Sequence, residues 1–159
     1  MNMDNDQDFT LSPSGVIYAA RAIKLDPSVQ DGCFLGSLNS MCIGITPQQS
    51  EIAPGMIGNS TTPYVLGDVP ANLPFVPGSI TTIPVYGPGR RCLIDIDPAF
   101  GGQIRPNDLI ISGNSGYGTK AASASPWNQW IIGISTSFAN SGQSCNVKIV
   151  IFPWSPTGS

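Results

Sequence analysis

The chain has 159 residues, of which 11% are charged, with 7 Lys or Arg, 10 Asp or Glu, no histidine and a net charge of −3. An average soluble domain carries roughly 25% charge, so this surface must be covered by Ser, Thr, Asn and Gln, which suits contact with other proteins. The scattered cations exclude the basic stripe that nucleic-acid binding needs, and no apolar run reaches the roughly 18 residues of a membrane-crossing helix.

Residues 1–14 read as an extended arm. Asp4, Asp6 and Asp8 lie among Asn and Gln, and Phe9 and Leu11 follow just before a proline. The polar part has no apolar period, and the two apolar residues are its candidate anchors to a neighbour. The acidic start is unlike a secretory signal, so the protein is expected to stay in the cell that makes it or to leave by lysis. "VIYAARAIKLD" (16–26) reads as a single strand that starts after "PSG" and ends at "DPS". "GCFLGS" and "MCIGIT" read as a hairpin around "LNS". That hairpin would make Cys33 and Cys42 the candidate disulfide among the four cysteines. The alternative is four small buried apolar residues in a reducing compartment.

Residues 47–84 hold seven prolines and few periodic runs. A stretch of that length without clear elements points to function or partner contact. It reads as an excursion from the body, with short edge strands, and Tyr64 and Phe75 are its candidate contact residues. From Val85 the strand signals become regular, with tight turns at "GPG", "GNSG" and "ANSGQ". Ile94 and Ile96 alternate with Leu93 and Asp95, and Val147 and Ile149 alternate with Asn146 and Lys148. Short strands at close spacing with Gly and Asn turns predict an all-β antiparallel sandwich or barrel. It spans 15–153 as one domain, and 154–159 form a tail. Trp127 and Trp154 are candidate interface aromatics, whereas Trp130 and Phe152 suit sheet filling.

The phrase "CIGIT" (42–46) returns as "IIGIS" (131–135), each after an apolar strand, a turn and a short strand. The echo suggests one β-unit used twice, with Gly44 and Gly133 at matching bulges or close strand crossings.

Catalysis has little to work with. Without histidine, Ser-His-Asp and Cys-His chemistry are excluded, and the single glutamate, Glu51, lies in the proline-rich stretch. Asp95 and Asp97 in "IDID" could share a face and hold a cation, but a solvent face is the commoner reason for such alternation. No phosphate or dinucleotide loop spacing occurs. The chain is expected to be no enzyme and to need no cofactor or metal.

The word order "RAIKLD", "CIGIT", "VYGPGRRCLIDI", "GQIRPNDLIISGNSGYG", "IIGIS" and "GQSCNVKIV" resembles that of bacteriophage capsid cement (head decoration) proteins over nearly the whole chain. The resemblance implies a small jelly-roll-like or tulip-like β-fold on the outer surface of a virion, made in the host cytoplasm. It implies a homo-oligomer, with a trimer favoured, that clamps the major capsid protein, without nucleic-acid or membrane partners. In that reading the arm reaches a neighbour, and deleting residues 1–12 would leave the domain folded. The other reading is a carbohydrate- or receptor-binding β-module of a phage tail or fibre, which would use the surface aromatics and the many Asn and Ser side chains.

Overall fold

The computed structural model describes residues 8–48, 82–123 and 128–155. It is all-β and mostly antiparallel, as the turn spacing predicts. The first half holds β1 (Phe9–Pro13), β2 (Ala22–Leu25), β3 (Gly32–Leu35), β4 (Gly44–Ile45) and β5 (Ile83–Val85). They form a sheet in the order β4-β2-β3-β1-β5. Its two edges then meet: Ile45 and Tyr86 exchange backbone hydrogen bonds of 3.0 and 2.9 Å. The result is a closed five-stranded barrel, a form that leaves no bare edge.

The second half holds β6 (Arg91–Asp95), β7 (Gln103–Ile104), β8 (Leu109–Ser112), β9 (Gly118–Lys120), β10 (Gln129–Ser135), β11 (Ala139–Asn140) and β12 (Ser144–Trp154). Five of these form a sheet in the order β6-β12-β10-β8-β9, and β7 pairs with β11 separately. This sheet also curls until its edges touch, through a parallel bridge between Ile96 and Gly118. Along β12 the predicted alternation holds, with Cys145, Val147 and Ile149 buried between exposed Asn146 and Lys148.

The two barrels have one topology. β4-β2-β3 in the first corresponds to β10-β8-β9 in the second. β1 runs parallel to β3 and antiparallel to β5; β6 likewise meets β9 in parallel and β12 antiparallel. The registers also match. Ile23 pairs with Leu35 and Gly44, as Ile110 pairs with Lys120 and Gly133.

The hydroxyl that ends each echoed phrase explains why it recurs. Thr46 Oγ1 donates to the Tyr18 carbonyl at 2.7 Å and accepts the Arg21 N–H at 3.0 Å. Ser135 Oγ donates to the Arg105 carbonyl and accepts the Asp108 N–H at 3.1 Å. Each lock holds a turn with one residue in the left-handed region, Ala20 at φ 54 and Asn107 at φ 71. Alanine pays for that region in steric strain, about 1–2 kcal/mol, so the first turn depends on its lock. Thr46 is fully buried and removing its hydroxyl strands the buried Arg21 N–H, whereas the Asp108 N–H also bonds the Arg105 carbonyl at 3.1 Å and keeps that partner without Ser135. Thr46→Val is expected to cost about 2–3 kcal/mol and Ser135→Ala about 1 kcal/mol, each read as a lower urea midpoint at unchanged slope.

Several expectations change. The strand expected over 16–26 is broken by the Ala19–Ala20 turn, and only Ala22–Leu25 is strand. Nor do β3 and β4 form a hairpin: both pair with β2, which lies between them. That arrangement also separates Cys33 from Cys42. Cys33 packs in the first barrel with Leu11, Ile17, Ile23, Ile83 and Val85, whereas Cys42 joins the cluster shared with the second barrel. All four cysteines are thiols, and the Cys33–Cys42 disulfide does not form. Burial, with Asp26 adding to it, pushes the Cys33 thiol up to about 11, and burial also raises Cys42 and Cys145. The thiolate is the reactive form. Alkylation near pH 8 should therefore spare these three in the folded protein, and denaturation without reductant should give four labels. Fewer than four labels on the denatured chain would contradict the thiol assignment.

The arm also changes. Phe9–Pro13 is β1, a middle strand of the first barrel held on both sides, and Leu11 is a core residue at 4% exposure. Residues 1–7 of the expected arm lie outside the described residues.

Candidate functional site

Ala22, Cys42 and Ile45 of the first barrel pack into one cluster with Ile94, Ile110, Ile132, Val147 and Ile149 of the second. At the rim of this joint the turn between Tyr18 and Arg21 docks on the turn between β8 and β9. The Ala20 carbonyl accepts the Asp95 N–H at 2.9 Å, and the Gly36 carbonyl accepts the Gly116 N–H at 2.7 Å. Gly116 sits at φ 73, and a Cβ there would approach the Ala22 carbonyl oxygen to 2.6 Å. Only glycine meets both demands.

Arg21 is the centre of this rim. It is 8% exposed, and its guanidinium lies 3.4 Å from the centroid of the Tyr117 ring and 5.4 Å from that of Tyr18. It donates to the Ser115 carbonyl at 3.3 Å and faces Asp95 Oδ2 at 3.6 Å, with Nε lacking a hydrogen-bond partner. Two aromatic faces and a carboxylate offset the cost of burying the cation. Tyr18, Arg21, Ser115 and Tyr117 line an open cleft of about 390 Å³. Its walls offer flat apolar rings beside polar groups, a mixture suited to recognition rather than catalysis. Among the described residues no three His, Cys, Asp or Glu side chains gather to hold a metal. Asp95 instead takes the Ser144 hydroxyl at 2.7 Å and faces Arg21, and Asp97 caps its own turn through the Ala99 N–H at 2.8 Å.

The expected contact residues are dispersed. Asp8 pairs with Arg90 at 2.9 Å, and Arg90 lies over the Tyr86 ring at 4.2 Å. Phe9 packs against the first-barrel core that contains Leu11. Trp154 packs with Phe152, Val150 and Leu109 around Ile111, Ala121 and Ile131, on the outer face of the second barrel. Asp4, Asp6, Tyr64, Phe75 and Trp127 lie outside the described residues.

Sequence reading passed over Arg21, whose signal was a lone cation inside "YAARAI", and it passed over the exposed apolar side chains. Leu25 is 48% exposed and Val29 49%, and Leu38, Met41 and Phe138 are also exposed.

No protein-family model and no curated protein matches the chain. Its fold is similar to a solved structure described as the head fiber gp8.5 N base in bacteriophage phi29. The two share 14% sequence identity over 90% of this chain and 92% of that one, with a TM-score of 0.53.

Proposed function

We propose that the chain is a structural component of a bacteriophage virion, built as the base module of a fibre-like appendage on the head. The observation that carries this reading is the end-to-end likeness to a head fiber base, 90% of one chain on 92% of the other. In this role the double barrel seats on the major capsid protein as a homo-oligomer and presents receptor- or carbohydrate-binding surfaces outward. The fibre reading is favoured over pure cementing because β1, the core of the expected clamping arm, is used inside its own barrel. The weakly charged surface suits many weak contacts multiplied by symmetry.

Electron microscopy of virions labelled with an antibody to this chain tests the location. Label on the outer head surface is expected; label on tails, or none on virions, would sink the reading. Heads lacking the protein separate the two roles: unchanged heat resistance fits a fibre base, and fragile heads fit cement. A glycan array probed with the full chain tests the receptor half.

A further inference from the structure

The joint between the two barrels uses different surfaces of the same fold. The first barrel contributes Ala20, Arg21, Ala22 and Gly36; the second contributes Asp95, Ser112 and the Ser115–Tyr117 turn. Because the registers match, each surface has a counterpart on the other barrel. The counterparts of Ala20, Arg21, Ala22 and Gly36 are Asn107, Asp108, Leu109 and Ala121. The counterparts of Ser112 and of the turn that follows it are Leu25 and the Asp26–Asp31 turn. The joint is thus head to tail, and each chain retains one unmatched head and one unmatched tail.

Both surfaces bear the marks of a contact. Ser112 is fully buried under the first barrel, whereas its counterpart Leu25 is 48% exposed, with Val29 beside it at 49%. Asp31 is exposed on the same turn. On the second barrel, Arg105 is exposed in the turn locked by Ser135. The turn adjoins the cluster in which Leu109, Val150, Phe152 and Trp154 remain only partly buried. The first barrel therefore offers acid beside apolar side chains, and the second offers a cation beside apolar side chains. Within the chain, Arg21 and Asp95 meet with these signs; Asp108 and Ser12 stand at their matching positions, so Arg105 and Asp31 form a different pair on the same two surfaces.

We propose that copies of the chain associate head to tail through these two counterpart surfaces, at a wider approach than the internal joint, because Ala121 and Asp31 carry side chains where that joint needs Gly36 and Gly116. The Arg105–Asp108 turn and adjoining apolar face of one second barrel dock on the Leu25–Asp31 turn of the next copy's first barrel. Arg105 then faces Asp31, and Leu25 and Val29 cover the partly buried cluster. A contact of this kind closes into a ring when its rotation permits and otherwise propagates. The inference rests on the homo-oligomer in the reading above and supplies its interface.

Sedimentation velocity of the full chain over a range of protein concentrations tests it. The parent protein is expected to sediment as an oligomer. Arg105→Asp puts like charges face to face and should weaken association by at least about tenfold. Asp31 sits at φ 56, so Asp31→Asn, which tolerates that region, should weaken association without disturbing the fold. Combining Asp31→Arg with Arg105→Asp should restore the oligomer. Thermal melts check that each variant is folded. A parent that stays monomeric at every concentration would overturn the proposal, as would an oligomer indifferent to the single changes or a pair that fails to restore. Absence of the protein from virion heads would leave this result untouched, so the two readings fail separately.

Discussion

Removing residues 1–12 should destroy the first barrel, while removing residues 1–7 should leave it intact. The longer deletion takes Phe9, Thr10, Leu11 and Ser12 out of β1. Phe9 to Leu11 register with Val85, Pro84 and Ile83 on one side, and Ser12 registers with Gly32 on the other. The Ser12 N–H bond to Asp31 at 2.7 Å goes with them. β3 and β5 would be left as facing bare edges, an invitation to aggregate. Leu11 alone is worth about 2–5 kcal/mol when a buried leucine is cut to alanine, against a typical total stability of roughly 5–15 kcal/mol. The shorter deletion keeps β1 and the Asp8–Arg90 pair at 2.9 Å. Thermal unfolding followed by circular dichroism should give a parent-like transition for the 1–7 deletion and no cooperative transition, or precipitation, for the 1–12 deletion. A 1–12 deletion that melts within a few degrees of the parent would show that β1 is dispensable. Leu11→Ala supplies the graded version of the same test.

The contrast between arm and strand shows what the sequence could express. Period-two alternation carried Leu93–Ile96 and Val147–Ile149 directly into the structure, because each strand buries one face. β1 alternates too, with Phe9 and Leu11 inward and Thr10 outward, but over too few residues to stand out, and the polar run before it dominates any window. The break at Ala19–Ala20 was illegible for another reason. Alanine at φ 54 is held there by Thr46, a partner far along the chain, so no local residue signals it. Pairing order was equally hidden. "GCFLGS" and "MCIGIT" look like a hairpin, but β1 occupies the free edge of β3, so β4 must add to β2. The repeat was legible as two similar phrases, and its cause, a hydroxyl locking a left-handed turn, needed coordinates. The rim around Arg21 was legible only as a misplaced charge. At the matching position of the second unit stands Asp108, which pairs locally with Lys120 at 2.8 Å, so the repeat itself does not require an arginine there. Arg21 is the point where one unit turned outward to hold the other.

The two echoed glycines should differ sharply when a methyl is added, although their phrases match. Gly44 lies where β4 closes the first barrel. A Cβ there would overlap the Tyr86 carbonyl oxygen and come within 2.8 Å of Val85 Cγ1 and 3.0 Å of the Tyr86 carbonyl carbon. Backbone cannot swing aside as a long side chain can. The strand would have to retreat, taking with it the two bonds between Ile45 and Tyr86 at 3.0 and 2.9 Å. Overpacking costs about 1–3 kcal/mol and each lost bond about 1 kcal/mol, so Gly44→Ala should destabilise by about 3–5 kcal/mol. Gly133 sits instead at a register shift that β10 makes against both β8 and β12. Its added Cβ would meet the Lys148 carbonyl oxygen at 3.1 Å and Val147 Cβ at 3.4 Å, a squeeze that a bulge can absorb by a few tenths of an ångström. Replacing glycine within a strand also recovers about 0.5–1 kcal/mol of backbone entropy. Gly133→Ala should therefore fall within about 1 kcal/mol of the parent. Urea unfolding of the two variants, compared at equal slope, reads the difference directly. Equal losses would mean that the Gly44 contact is not what closes the barrel, and that each glycine answers to its phrase rather than to the strand it meets.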